Sequence, residues 1–484
     1  MKTIVKGLGI AAAVGLVVAG ALYLFGLRVM LDGGGAPRLG FVRSTDAQAE
    51  LIARHREAQK AAAPSPAPPP AVPAPAAAGV PPSSVDLPSE SSLPVQPSAA
   101  SRDWTDFRGP ARDGHYRGAI RTAWPGAGLE PVWKQPVGAG YASFAIVNGQ
   151  ALTIEQRGTS EVVAAYDVRT GHELWANGWE GAFREMMGGD GPRATPTWHE
   201  GRVYALGGAG ELRALDAATG SVLWRTNILS DSGATNLQWG MAAAPLVVDD
   251  VVVVLPGGSN GNSVVAYDRI SGKRAWSELD DTASYASPML VTLGGVRQIL
   301  VFTASRLVGL AADSRELLWQ FPWTTQYGVN ASQPLLLGND RLFVSTGYGS
   351  GAAAIQLTNV GGRFSVQELW RTHLMKNQFT SSLLHEGYIY GLDESILTCL
   401  DAATGERKWK NGRYGYGQVM LASGHLIVLT ESGELALVRA TPEQYVEVAR
   451  FPVLDGKTWN HPAMSAGFLL IRNIQEMAAL DLRR

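Results

Sequence analysis

The feature that most constrains this chain is a ten-residue signature that returns along its length. Leu215-Asp-Ala-Ala-Thr-Gly-Ser-Val-Leu-Trp224 reads as a β-hairpin whose turn spans Asp216 to Gly220. The Asp side chain can accept a backbone N–H two residues on, and the Gly supplies the positive φ that a bulged loop needs. Close copies begin at Tyr166, Tyr267 and Leu400. Leu310 to Trp319 has lost the Gly, Ile355 to Trp370 is stretched, and Val438 to Arg450 has lost both Asp and Trp. An eighth copy is split: Ala479 to Leu482 supplies its first strand and Glu130 to Trp133 its second.

The tryptophans at 133, 175, 224, 276, 319, 370 and 409 are separated by 42, 49, 52, 43, 51 and 39 residues. A period of this size, with several strands per unit, marks a β-propeller. Trp133 to Arg484 spans 352 residues, 44 for each of eight units. Sharing one blade between the two chain ends closes the ring and leaves no open sheet edge. One tryptophan per blade covers the joint to the next. Inner strand pairs, such as Ala194–Tyr204 and Gln333–Phe343, open the blades as short apolar hairpins.

Ahead of residues 101–484, the propeller, the chain changes character twice. Residues 1–30 contain Gly7 to Leu27, 21 uncharged and mostly apolar residues behind Lys2 and Lys6. That length crosses a bilayer as a helix, and no Ala-x-Ala-like cleavage site follows. Residues 31–60 form a juxtamembrane segment in which Thr45 to Lys60 is expected as a short exposed helix, with Thr45 and Gln48 placed as a capping box. Residues 61–100 hold twelve prolines and two charges, Asp86 and Glu90. Such a stretch cannot bury enough apolar surface to order itself, and reads as a tether that holds the propeller away from the membrane.

Composition narrows function by exclusion. A formal charge of −2 gives no basic stripe, so nucleic acid is not an expected partner. The single cysteine, Cys399, permits no disulfide within the chain, and the eight histidines show no metal-binding spacing. Gly257-Gly-Ser-Asn-Gly261 matches a nucleophile pattern, but a strand follows it where the hydrolase elbow needs a helix.

The repeats resemble the quinoprotein-like propeller family, named for enzymes that bind pyrroloquinoline quinone (PQQ). Asp106-Phe-Arg-Gly-Pro-Ala-Arg-Asp-Gly114 is similar to the entry segment of bacterial PQQ-like repeat proteins. The resemblance implies an all-β, eight-bladed fold and, with the anchor, a bacterial inner-membrane protein with its propeller in the periplasm. It implies less about activity, since the blade motif is structural. The family includes quinone-dependent alcohol and sugar dehydrogenases and a non-enzymatic outer-membrane β-barrel assembly lipoprotein. This chain lacks the adjacent cysteines and the Cys-x-x-Cys-His of the first branch, and the lipidated N-terminal cysteine of the second.

The expected function is therefore a non-catalytic, membrane-anchored scaffold with a protein or cell-envelope partner and no cofactor. The alternative is a dehydrogenase holding PQQ and calcium in the channel. Loops before the inner strands carry Tyr141, Arg193, Trp239, Tyr285, Tyr327, Asn330, Asn377, Phe379, Tyr414, Tyr416 and Trp459, with His461 beside the last. In a propeller these loops ring one channel mouth, as a recognition rim or as a plug. Arg193, Trp239, Tyr285, Asn330, Trp459 and His461 are the chosen site candidates. Under the alternative, Arg193 and Asn330 would hold cofactor oxygens and Trp239 would stack on the quinone. Asp190, Asp280, Asp281, Asn330 and Asn460 are then the oxygen donors considered for calcium.

Overall fold

The computed structural model describes residues 26–62 and 103–483; the stretch from Gly7 to Phe25 and the proline-rich linker lie outside them. Eight antiparallel sheets follow one another around a ring. Blade 1 runs over residues 145–180, blade 2 over 197–227, blade 3 over 246–278 and blade 4 over 289–322. Blades 5, 6 and 7 cover 335–372, 383–413 and 418–452. Blade 8 joins three C-terminal strands to Trp133–Pro136, and Ala479 pairs with Trp133 in the split hairpin. Ring closure is thus the one the sequence implies.

The signature residues explain how blades join. Asp216 Oδ1 accepts from the Ala218 and Thr219 amides at 3.1 and 2.8 Å and from the Thr219 hydroxyl at 2.8 Å. Those bonds hold its carboxyl below the usual range. Gly220 closes the turn at φ 72°. A Cβ on Gly220 would lie 2.4 Å from the ring of Trp175, which belongs to the preceding blade. Trp175 lies flat on that turn and donates its Nε1–H to Ala217 O at 3.0 Å. The same indole-to-carbonyl bond joins Trp133 to Val168, Trp224 to Arg269, Trp370 to Ala402 and Trp409 to Thr441. Motif Gly and motif Trp therefore act across the joint rather than within a hairpin. In the copy without glycine, Arg315 keeps the turn by adopting φ 66° itself.

Successive strands alternate in direction, so the signature turns all lie on one face of the ring. The loops before the inner strands lie on the other, at the channel mouth. From the signature side, the entry segment runs into the channel. His115–Tyr116 pairs in parallel with the inner strand of blade 7, giving that blade a fifth strand. Arg112 is 3% exposed and donates to the carbonyls of Ala244, Pro245 and Pro288 and to Thr197 Oγ1, besides pairing with Asp106. Arg108 reaches Ser382 O at 2.9 Å and Gln333 Oε1 at 3.4 Å. Two buried guanidiniums thus tie together the ends of the inner strands of blades 2 to 6 through backbone and side-chain oxygens.

The residues before the linker correct one expectation. Leu27–Leu31 (β1) and Pro37–Phe41 (β2) form a hairpin over the mouth. Thr45–Ala62 (α1) is a helix, as expected, but it is not a free one. Ile52, Gln48 and Arg56 are buried: Gln48 donates to Val137 O and Gln475 O, and Arg56 pairs with Glu173 at 3.3 Å. The helix's polar residues satisfy blade-edge carbonyls and carboxylates, which is why a stretch with little apolar patterning docks. Described chain on both sides of the linker thus rests on the propeller. Among the described residues no helix is long and apolar enough to cross a membrane.

Candidate functional site: the channel mouth

The mouth loops enclose a cavity of about 720 Å³. Of the residues singled out from sequence, Tyr141, Arg193, Trp239, Tyr285, Tyr327, Phe379, Tyr416, Trp459 and His461 line it. The rings pack edge to face and tilted around the rim. Trp459 lies 5.2 Å from Tyr141 and 4.7 Å from Phe379, and Trp239 lies 5.6 Å from Tyr285. Burial pushes the Tyr141 and Tyr285 phenols up, the latter to about 12, so both stay neutral.

Three expected rim residues are elsewhere. Asn330 is fully buried, donating to Thr303 O at 2.8 Å while its backbone N–H donates to Ser284 Oγ and its carbonyl accepts from Ala286 N. It staples one mouth loop to the next. Asn377 ties its own loop to the blade that follows, donating to Leu392 O and accepting from the Ser382 hydroxyl. Tyr414 turns outward to Glu447 and Tyr445. Asparagine before an inner strand is thus a loop staple here, and the sequence alone does not separate that role from binding.

The polar groups that do line the cavity are mostly committed to the chain. Arg193 donates to the carbonyls of Gly189 and Gly191 and lies over the Phe183 ring at 4.5 Å; burial lowers its pKa. His461 is 3% exposed between Val419 O and Pro462 O. Burial, then the charge of Arg108, pushes its pKa down to about 3, so the ring is neutral and donates to one of the two carbonyls. Its neighbour at the cavity floor is Phe107, the tip of the entry segment, at 5.7 Å.

Sequence reading missed Glu431, a buried carboxylate that ties three of the mouth segments together. Its carboxylate accepts from Trp459 Nε1 at 2.9 Å, from Tyr416 N at 3.2 Å and from Gly33 N at 2.8 Å. Gly33 belongs to the β1–β2 turn, whose residues Asp32 to Gly35 enter the cavity. The approach is close: a Cβ on Gly33 would overlap the Tyr416 ring at 2.2 Å. Gln378 donates to Gly33 O, and Lys457 lies 3.8 Å above Trp459 while reaching Gly188 O. Burial brings the Lys457 pKa down to about 8. The available signal was Asp32-Gly-Gly-Gly between two short apolar runs, a hairpin signature in its own right.

The oxygen donors considered for calcium do not converge. Asp281 is held by Arg306 through both carboxylate oxygens, Asp190 faces Arg184, and Asn460 donates to Gly140 O and Ala142 O. Among the described residues no group of three or more His, Cys, Asp and Glu could hold a metal ion. Of the three residues assigned to PQQ, Trp239 lines the cavity, but Arg193 is spent on carbonyls and Asn330 lies outside, and Phe107 and the hairpin turn occupy the cavity's two ends.

The ring of eight sheets with an indole lock between blades is a quinoprotein-like propeller. The family model described as outer membrane protein assembly factor BamB matches residues 159–411, and the chain belongs to this PQQ-like propeller family. The outer membrane protein assembly factor BamB of Burkholderia pseudomallei (strain K96243) is 22% identical over 294 residues, 59% of this chain and 70% of that protein. Among solved structures, BamB from Moraxella catarrhalis superposes with a TM-score of 0.51 at 16% identity, covering 72% of this chain and 97% of its own. A europium-containing methanol dehydrogenase reaches 0.59 at 13% identity, covering 77% and 90%. At these identities, the structures share the fold alone.

Proposed function

We propose that this protein is a non-catalytic scaffold of the bacterial cell envelope, anchored in the inner membrane through the apolar run that begins at Gly7 and stops short of β1, with its propeller in the periplasm and a protein as its partner. The carrying observation is that the chain itself closes both ends of the cavity: Phe107 at the floor, and the Asp32–Gly35 turn, bonded to Glu431, in the mouth. Family membership and the relatedness to an outer membrane protein assembly factor support the same reading. On this reading the protein needs no cofactor, and the exposed aromatic rim, with Tyr327 64% exposed, meets the partner.

Calorimetric titration of the full chain with PQQ and calcium tests the choice. No heat of binding is expected; one-to-one, calcium-dependent binding would replace the scaffold by the dehydrogenase. A photocrosslinker at Tyr327 should trap one discrete protein in cells, and one at Ala218 on the opposite face should not.

A further inference from the structure

The hairpin that covers the mouth has two unlike faces. Leu27 stands opposite Phe41, Val29 opposite Leu39 and Leu31 opposite Pro37. Side chains two apart share a face of a strand, so these six apolar groups form one surface. Val29, Leu39 and Phe41 are 67%, 71% and 65% exposed. The loop beside the hairpin adds Met186, 98% exposed; its neighbours Met187 and Gly188 share Lys457 with the carbonyl of Leu31. An exposed apolar strip of this kind marks an interaction site.

Continuity of the chain says what covers it. The hairpin is closed at its base by Val42 N donating to Gly26 O. The uncharged run that begins at Gly7 ends at Leu27, the first residue of β1, so no spacer separates that run from the mouth face. Arg28, Arg38 and Arg43 then follow within sixteen residues. Apolar side chains at the acyl boundary with arginines at phosphate depth are the composition of a membrane-surface element.

We infer that the apolar face of the β1–β2 hairpin lies in the surface of a bilayer containing anionic phospholipid, so that the channel mouth faces the membrane and the signature turns face away from it. This rests on the reading of the apolar run before β1 as an anchor. It reverses the tether picture: the docked hairpin and helix hold the propeller down on the membrane.

The test uses the full chain in phosphatidylcholine vesicles containing phosphatidylglycerol, with a fluorophore on Leu39→Cys or Ala218→Cys. Cys399 is fully buried and its thiol is pushed up to about 12, so it stays unlabelled in the folded protein. Both variants should float with the vesicles, and a quencher carried on lipid headgroups should extinguish the Leu39 label and spare the Ala218 label. Flotation with equal quenching at the two positions overturns the orientation and leaves the anchor standing. Failure to float removes the anchor and the orientation with it. Phe41→Cys gives the same readout should Leu39→Cys disturb the hairpin.

Discussion

The two faces of this ring are made by the same chain reversals in the same eight sheets, yet they share almost nothing. On the signature face, turns are near copies that satisfy themselves: Asp to its own amides, Gly under the neighbouring indole, indole to the next carbonyl. On the mouth face each loop is different, aromatic, and tied to distant segments such as the Asp32–Gly35 turn. A propeller needs each blade joint sealed once, and the signature face does that work. The mouth loops are then free to vary without cost to the ring. Repetition in this fold therefore reports stability, and departure from repetition reports function.

Three substitutions sharpen that contrast. Trp224→Ala removes a ring 9% exposed and its bond to Arg269 O. It should destabilise the propeller by about 3–5 kcal/mol in denaturant unfolding; a loss below about 1 kcal/mol would refute the joint as the source of stability. Arg315→Gly replaces a residue held at φ 66° at the glycine position of the Leu310–Trp319 copy. Relief of left-handed strain, less the entropy of a new glycine, should stabilise by about 0.5–1 kcal/mol. Tyr327→Ala on the mouth rim should change unfolding by no more than about 0.5 kcal/mol, while reducing recovery of the partner with the purified protein. A large stability loss there would erase the division of labour between the faces.

Legibility followed the same division. Blade count, the split closing blade and the covering role of the tryptophans came directly from the signature, because the Asp–Gly–Trp chemistry is local to ten residues and its partner is simply the next copy. The sequence also placed nine of the mouth-lining residues, since loop position in a repeat fixes which end of the channel a side chain reaches. It did not separate Trp239 from Asn330, because both precede an inner strand and only packing decides which faces the cavity and which ties loop to loop.

What the sequence determined alone is the repeat, and with it the ring. The period is covalent, so any eight such units must close on themselves to bury their edges. What only the tertiary structure decided is where the unrepeated segments go. The entry segment and helix α1 lack apolar periodicity of their own, and the alternation in the β1–β2 hairpin does not say where that hairpin docks. They dock by single contacts to residues far away in the chain, such as Arg112 to Pro288, Gly33 to Glu431 and Gln48 to Gln475. Hydrogen bonds of that kind leave no pattern in a sequence, because the partner is a backbone carbonyl or a lone carboxylate whose position exists only once the ring has closed.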